Sequence, residues 1–382
     1  MRIAIDARPA TGAVMTGIGF YTREMIERLP VVDPQTDYLA WYLNARAALK
    51  PWRMRRHFTR RANLRERGIP FPGRWFERLA PRDLPRLEWL ARFDVLLATN
   101  FVPPPTRTSR LVLTIHDLAF LLMPETAPHA TESWLLRLDR AVEQAAQVIA
   151  VSEATKRDVL DQFPIGPERV TVIHHGVDRD RYRPAPDDDV ARIRTRHRLD
   201  GPYLVFVGGI EPRKNLPALV RAYAMLEDRP FLVIGGSAVP WSPGGRHAVI
   251  DALAELPDEV RARVRFTGYL REEDKVPLLS GAEALVFPSR YEGFGMPLLE
   301  AMACGTPIVT SGVSALPEVA GDAAVYVDPD EPEDIARGMR TVLENEALRA
   351  ALRKAGLERV EGFDWDETAR RTSRVLHRAA LA

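Results

Sequence analysis

Short apolar runs rich in β-branched residues alternate with helix-forming stretches along this chain, and that alternation limits the fold more than any other feature. Arg2–Asp6 reads as a strand, and the segment from Gly19 to about Leu29 as a helix that Pro30 should break. Phe93–Thr99 and Leu111–Ile115 have the continuous apolar character of buried parallel strands. Glu132–Ala146 is helical, Val148–Val151 is another strand, and Ser152 is placed to cap the next helix. Val170–His174 closes this series. Asp178–Asp200, with Pro184, Pro186 and three consecutive aspartates, then interrupts the rhythm and reads as a connection.

A second series follows: Tyr203–Val207, Leu216–Leu226, Phe231–Ile234, Val264–Thr267, Leu285–Phe287, Pro297–Ala303, Ile308–Thr310 and Ala324–Val327. Asp334–Leu343 and about Leu348–Arg359 are the closing helices. The expected fold class is α/β, with two Rossmann-like domains at 1–178 and 201–362 and a linker at 179–200. Ligands of such sheets bind beyond the carboxyl ends of the strands, so the two domains should face each other across a cleft.

The 382 residues suit two domains, and 46% hydrophobic with 27% charged residues is ordinary for a globular protein. No run of about twenty apolar residues is present to span a membrane. The start, MRIAIDARPA, lacks a signal peptide's apolar region, and the single cysteine, Cys304, excludes an internal disulfide or a cysteine-based zinc site. A reducing, cytoplasmic setting is expected.

The net charge of +1 hides a basic segment: from Arg46 to Arg92 there are 14 Lys or Arg against 4 Asp or Glu. Trp52, Phe58, Trp75, Phe76 and Trp89 are interleaved with these charges. Cations and indole rings together suit an anionic membrane surface. The competing reading is a solvated basic face whose aromatics pack inward. Nucleic acid is not expected, because no recognisable binding module accompanies the charge.

The sharpest motif is Ser289–Gly305, SRYEGFGMPLLEAMACG. A strand ends at Pro288, and a glycine-containing loop enters a helix with Pro297 in its first turn and Gly305 at its stop. The first amides of a helix lack internal partners and carry the positive end of its dipole, which makes an anion site suited to a diphosphate. Gly293 and Gly295 let a ligand approach the amides of Phe294, Gly295, Met296, Pro297 and Leu298. Glu292 and Glu300 bracket the loop; carboxylates accept hydrogen bonds from vicinal hydroxyls, so one can hold a ribose and the other a sugar. The alternative makes Glu300 a helix-dipole partner and Glu292 an exposed loop acid.

After strand Tyr203–Val207 come Gly208, Gly209, Ile210, Glu211, Pro212, Arg213, Lys214 and Asn215. Cations at a strand's carboxyl end can stabilise a departing diphosphate; the alternative is a solvated basic turn. In the first half, Thr16-Gly17-Ile18-Gly19 lies between strand and helix, too short for a dinucleotide fingerprint. His116 and Asp117 follow strand Leu111–Ile115, and His116 can donate to a sugar hydroxyl through either ring nitrogen. A structural histidine paired with Asp117 is the competing reading. His174 and His175 are no metal pair, since strand neighbours point to opposite faces.

In order along the chain, these motifs resemble those of retaining glycosyltransferases of family 4, which have the GT-B architecture, and the resemblance extends over essentially the whole length. Its marks are Glu292-Gly-Phe-Gly-Met-Pro-Leu-Leu-Glu300, Ala303-Cys-Gly-Thr-Pro-Ile-Val309, Gly208–Asn215, Thr114-Ile-His116-Asp117, Val151-Ser152-Glu153 and His175-Gly176-Val177-Asp178. The resemblance implies that Arg213 and Lys214 bind the donor diphosphate, with Gly17 near it. Glu300 would hold the ribose, Glu292 and the Phe294–Leu298 amides the transferred sugar and phosphates, and Thr267, Gly268, Tyr269 and Leu270 would border the nucleobase. His116 would lie near the sugar, with Gly19, Tyr21 and Asp117 on the acceptor side, and 363–382 would pack back on the first domain. Many members carry arginine where this chain has Gly209, which leaves Arg213 to supply that charge.

The Gly208–Asn215 stretch looks most like that of bacterial mannosyltransferases of surface-polysaccharide assembly. The resulting expectation is transfer of mannose from GDP-mannose to a lipid-linked or polysaccharide acceptor, in the cytoplasm or at the inner membrane face. Rhamnose or N-acetylglucosamine, on GDP, UDP or dTDP, are the other donors the pattern admits. No cofactor or metal is expected, because no Asp-x-Asp stands in a metal-binding context and Arg, Lys and a helix dipole supply the charge. Two rivals stand beside this reading: a nucleotide-sugar 2-epimerase of the same fold, and a non-catalytic glycan- or membrane-binding subunit.

Overall fold

The computed structural model of the chain describes residues 1–12, 15–44, 57–69, 71–82, 84–90, 92–108, 110–124, 131–237 and 244–381. It divides into two compact units. One comprises Met1–Leu118, Ala130–Gly176 and Trp365–Ala382; the other comprises Val177–Asp364 and Ala119–His129.

The first unit is built on seven strands: β1 (Arg2–Asp6), β2 (Asp37–Leu43), β3 (Leu64–Ile69), β4 (Val95–Ala98), β5 (Leu111–Ile115), β6 (Gln147–Ala150) and β7 (Val170–Val172). Their order across the sheet is β3-β2-β1-β4-β5-β6-β7, and every pairing is parallel. Strands β4, β5 and β6 are buried along their whole length. That is why they read as unbroken apolar runs rather than as alternations. The strand order reverses between β1 and β4, which places the loops after these strands at a switch point.

The long helix Gly17–Val32 of this unit packs against the carboxyl-terminal helix Trp365–Leu381. Arg28 reaches Asp366 at 2.5 Å, and Asp33 accepts hydrogen bonds from Ser373 at 2.9 Å and from His377 at 2.8 Å. The last seventeen helical residues are thereby fixed to the first unit by an apolar stripe and by polar contacts at both ends.

The second unit carries β8 (Tyr203–Val207), β9 (Phe231–Gly235), β10 (Val264–Gly268), β11 (Ala284–Phe287), β12 (Ile308–Ser311) and β13 (Ala324–Val327). Their order is β10-β9-β8-β11-β12-β13, again all parallel. This is the doubly wound order 3-2-1-4-5-6, whose reversal lies between β8 and β11.

Three of the differences from the sequence expectation have a plain physical reason. The first helix does not break at Pro30 but runs on to Val32, because the proline sits in the last turn, where one missing hydrogen bond costs little continuity. Strands β2 and β3 were not anticipated; β3 is an edge strand, and its charged residues Arg65, Glu66 and Arg67 mask the pattern. The expected linker contains a helix, Asp187–His197, whose three aspartates occupy the first turn and so complement its dipole.

The basic segment divides the two readings made of it. Phe58 and Phe76 pack inward, whereas Trp75 and Trp89 are 47% and 65% exposed. The guanidinium groups of Arg78 and Arg86 lie 5.6 Å from the Trp75 and Trp89 rings respectively. Trp52 and the residues around it lie outside the described residues. Among the described residues no helix is long and apolar enough to cross a membrane.

Candidate functional site

The expected residues fall into two groups, one in each unit. In the second unit, the chain leaving β8 supplies Gly208–Asn215 and the chain leaving β11 supplies Pro288–Gly295. These strands flank the reversal of strand order, where their loops diverge and leave room for a ligand. A short 3-10 turn, Pro212–Lys214, ends at Asn215 in the left-handed conformation (φ 58°). Asn tolerates that conformation better than other non-glycine residues. Its buried amide donates to Pro288 O at 3.2 Å and Pro329 O at 2.6 Å, so the turn is tied to the loop after β11.

That tie brings the charged side chains together. Lys214 Nζ lies 2.5 Å from Glu292 Oε1, and Arg213 Nη1 lies 2.9 Å from Glu292 Oε2. Arg213 also holds Glu211 at 3.0 Å and donates to Tyr291 O at 3.1 Å. Lys214 stands 4.8 Å above the Phe287 ring. Burial alone would raise the Glu292 pKa, but the charges of Arg213 and Lys214 override it and hold the carboxyl down at about 2. Burial draws the Lys214 ammonium below its ordinary value, against the pull of Glu292. The Glu292 carboxylate is therefore ionised, and neither the exposed-acid nor the solvated-turn alternative describes this cluster.

The helix behind the loop runs from Met296 to Ala303, with Gly295 before it at φ 107°. A side chain at Gly295 would meet both this backbone strain and the Leu316 Cδ2 at 2.9 Å. The expected row of five amides needs correction. Pro297 has no N–H, and the Leu298 amide donates to Gly295 O at 2.9 Å. Phe294 has partners of its own. The amides of Gly295 and Met296 donate to no described group, so these two N–H groups of the expected row are open to an anion.

Glu300 is buried in the same helix, and its partner was not anticipated from the sequence. Lys275 Nζ lies 2.6 Å from its Oε2, so Glu300 is an ion-pair partner rather than a helix-dipole residue. No spacing rule connects Lys275 to Glu300; the contact arises because the helix Glu272–Ser280 packs beside the helix Met296–Ala303. Thr267–Leu270 lie at the carboxyl end of β10, where Gly268 has φ 69° and Tyr269 is exposed. Gly209 is half-buried at the end of β8.

In the first unit, Thr16 caps the helix Gly17–Val32, its hydroxyl accepting from the Gly19 amide at 3.3 Å. Gly17 is exposed, with nothing within 4 Å of where a Cβ would stand. Gly19 is buried instead: a Cβ there would meet Pro9 O at 2.8 Å. Its lack of a side chain thus serves chain packing. Tyr21 is also buried, because helical periodicity turns it inward with Met25 and Ile26. Its hydroxyl meets that of Thr114 at 3.2 Å, and its ring lies 4.9 Å from His116 and 5.0 Å from His175. Tyr21 supports His116 and does not reach an acceptor.

His116 Nε2 lies 2.9 Å from Thr99 O, and the Thr99 hydroxyl donates to Asp6 O at 2.7 Å. A carbonyl only accepts, so the ring proton sits on Nε2 and Nδ1 keeps its lone pair. Burial lowers the His116 pKa to about 4, so the ring is neutral near pH 7. His116 can accept a hydroxyl proton at Nδ1 but has no second N–H to donate, which narrows the sequence expectation. Asp117 beside it is half-buried.

The family model described as "Glycosyl transferases group 1" matches residues 187–359, and that described as "Glycosyltransferase Family 4" matches residues 16–181. The chain is 28% identical over 373 residues to the O-antigen chain mannosyltransferase B of Escherichia coli, covering 94% of this chain and 95% of the other. It is 32% identical over 293 residues to a D-inositol 3-phosphate glycosyltransferase of Jonesia denitrificans, covering 71% of this chain and 67% of the other. A sucrose-phosphate synthase from Thermosynechococcus elongatus has the same fold, with a TM-score of 0.76 at 21% identity over 99% of this chain and 98% of that one. The chain belongs to glycosyltransferase family 4, has the GT-B fold and resembles bacterial mannosyltransferases.

Proposed function

We propose that this glycosyltransferase moves mannose from GDP-mannose onto a hydroxyl of a lipid-linked or polysaccharide acceptor in bacterial surface-glycan synthesis. The observation that carries the reading is the joining of Arg213, Lys214 and Glu292 at the reversal of the second sheet, next to the undonated amides of Gly295 and Met296. Two cations and two amides suit a diphosphate that gains negative charge as the glycosidic bond breaks. An ionised carboxylate at the same place suits the hydroxyls of the transferred sugar. The choice of mannose rests on the likeness to the O-antigen chain mannosyltransferase.

In this proposal the acceptor oxygen attacks the anomeric carbon from the face the diphosphate leaves. A departing phosphate oxygen takes the hydroxyl proton, so configuration is retained without a protein nucleophile. Arg213 and Lys214 supply the counter-charge and no metal is needed. His116 accepts a sugar hydroxyl at Nδ1. The exposed Trp75 and Trp89 with their arginines hold the protein at an anionic membrane surface, where a lipid-linked acceptor resides.

A panel of nucleotide sugars scored by thermal shift tests the donor, because a bound ligand stabilises according to its occupancy. GDP-mannose should give the largest shift, and GDP should be released only when an acceptor glycan is added. A larger shift with a UDP- or dTDP-sugar would replace the donor. An isomerised nucleotide sugar formed without acceptor would favour the 2-epimerase, and no nucleotide binding at all would favour the non-catalytic subunit.

A further inference from the structure

Lys275 stands at the centre of a small buried network that the diphosphate site does not use. Its ammonium lies 2.6 Å from Glu300 Oε2, 3.1 Å from the Tyr182 hydroxyl oxygen and 3.9 Å from Glu272 Oε1. The Tyr182 hydroxyl in turn donates to Glu272 Oε2. Burial, together with the charges of Glu300 and Glu272, holds Tyr182 protonated, so its oxygen is left to accept from Lys275. Tyr182 and Glu300 are buried, and the Lys275 side chain is 13% exposed.

We infer that Lys275 is a positioning residue for Glu300, and that the pair selects a donor carrying both ribose hydroxyls. The inference rests on the nucleotide-sugar reading of the site and on Glu300 as its ribose ligand. A buried carboxylate with no cation nearby would be costly, and it could rotate among several rotamers. Lys275 removes both problems: it neutralises the charge and commits Oε2, so the remaining acceptor capacity of Glu300 has a fixed direction. Tyr182 does the same for Lys275 by accepting a second of its protons, and the Glu272 carboxylate adds its charge at 3.9 Å. A cis-diol presents two hydroxyl protons to such a carboxylate. A 2′-deoxyribose presents one, and leaves a desolvated acceptor position unfilled.

The test is binding of two nucleotide pairs to the full chain by calorimetry: GDP with 2′-deoxy-GDP, and UDP with 2′-deoxy-UDP. For whichever pair binds, the wild type should prefer the ribonucleotide by roughly tenfold or more. Lys275→Met, which keeps the apolar stem, should weaken the ribonucleotide and bring the preference close to unity. It should also raise the donor KM by a larger factor than it lowers kcat. Lys275→Arg should restore most of the preference, and Tyr182→Phe should lose part of it. Should Lys275→Met fail to fold, the Arg and Phe variants decide alone, and a wild-type preference in Tyr182→Phe with none in Lys275→Arg would count against the network. A Lys275→Met chain that keeps the wild-type preference overturns the role of Lys275 only, whereas a wild type that binds a pair without regard to the 2′-hydroxyl also overturns Glu300 as the ribose ligand and leaves the nucleotide-sugar reading standing. A wild type that binds neither pair overturns the nucleotide-sugar reading, and this inference with it.

Discussion

Lys214 Nζ and Glu292 Oε1 are 2.5 Å apart, both side chains are buried, and the second oxygen of the same carboxylate holds Arg213 at 2.9 Å. One anion therefore positions two cations. A diphosphate arriving beside them adds negative charge that those cations must also balance. Lys214→Ala removes the compact charge and leaves Glu292 with Arg213 alone. Turnover should fall by about 10²–10³-fold, the range found when one preorganised electrostatic group is deleted. Stability should fall as well, since half of a buried ion pair is gone. Steady-state kinetics beside circular dichroism separates the two, and a folded variant with wild-type turnover would remove Lys214 from the mechanism.

The pH dependence of stability follows from His116 and Glu292. His116 has its pKa lowered from 6.5 to about 4, chiefly by burial, so the folded state resists a proton that the unfolded chain takes up. Its contribution is complete above pH 6.5 and declines as pH falls towards 4, by about 3 kcal/mol in all. His175, also lowered chiefly by burial, acts in the same direction. Glu292, held at about 2 against an ordinary 4.5, contributes stability above pH 4.5 that is lost as pH falls to 2. Urea titrations across this range should show His116→Gln flattening the upper limb and Glu292→Gln the lower one. Unchanged slopes in both variants would mean these groups are not held as the geometry requires.

Much of this site was legible because its parts lie close in sequence. Strand, glycine loop and helix fix where Glu292 and Glu300 stand on one element, and strand β8 fixes Arg213 and Lys214 at a carboxyl end. The sheet order then brings the two loops together. Contacts between separate helices carry no such signature, so Lys275 was invisible. Tyr21 is the opposite case: only the family resemblance set it on the acceptor side, whereas its helical phase places its side chain in the core. Strand β3 was hidden by edge charges, and the helix Asp187–His197 by an acidic run that reads as irregular chain.

Asn215 offers a way to loosen the cation turn without touching a charge. It combines a left-handed backbone with two buried hydrogen bonds, to Pro288 O and Pro329 O. Asn215→Ala loses both and adds backbone strain, whereas Asn215→Gly loses the bonds but tolerates the conformation. Alanine should therefore destabilise more than glycine, by about 1 kcal/mol, with both raising the donor KM. Differential scanning calorimetry of the two variants gives the order; equal stability would mean the φ of 58° carries no strain.

The exposed indoles make the membrane proposal testable apart from catalysis. Trp75 and Trp89 are 47% and 65% exposed, so replacing them should cost the fold little. Each lies beneath an arginine guanidinium at 5.6 Å, a pairing that places an apolar plate and a cation on the same spot of surface. An anionic headgroup layer accepts both, the ring at the interface and the cation against phosphate, while a neutral layer accepts only the ring. The wild-type chain should co-sediment with vesicles containing phosphatidylglycerol, and much less with phosphatidylcholine alone. Binding should weaken as salt rises, because the charge component is screened. Trp75→Ala with Trp89→Ala should lose most of the binding while keeping the melting temperature and turnover on a water-soluble acceptor. Vesicle binding that ignores lipid charge, or survives loss of both rings, would return this face to ordinary solvated surface.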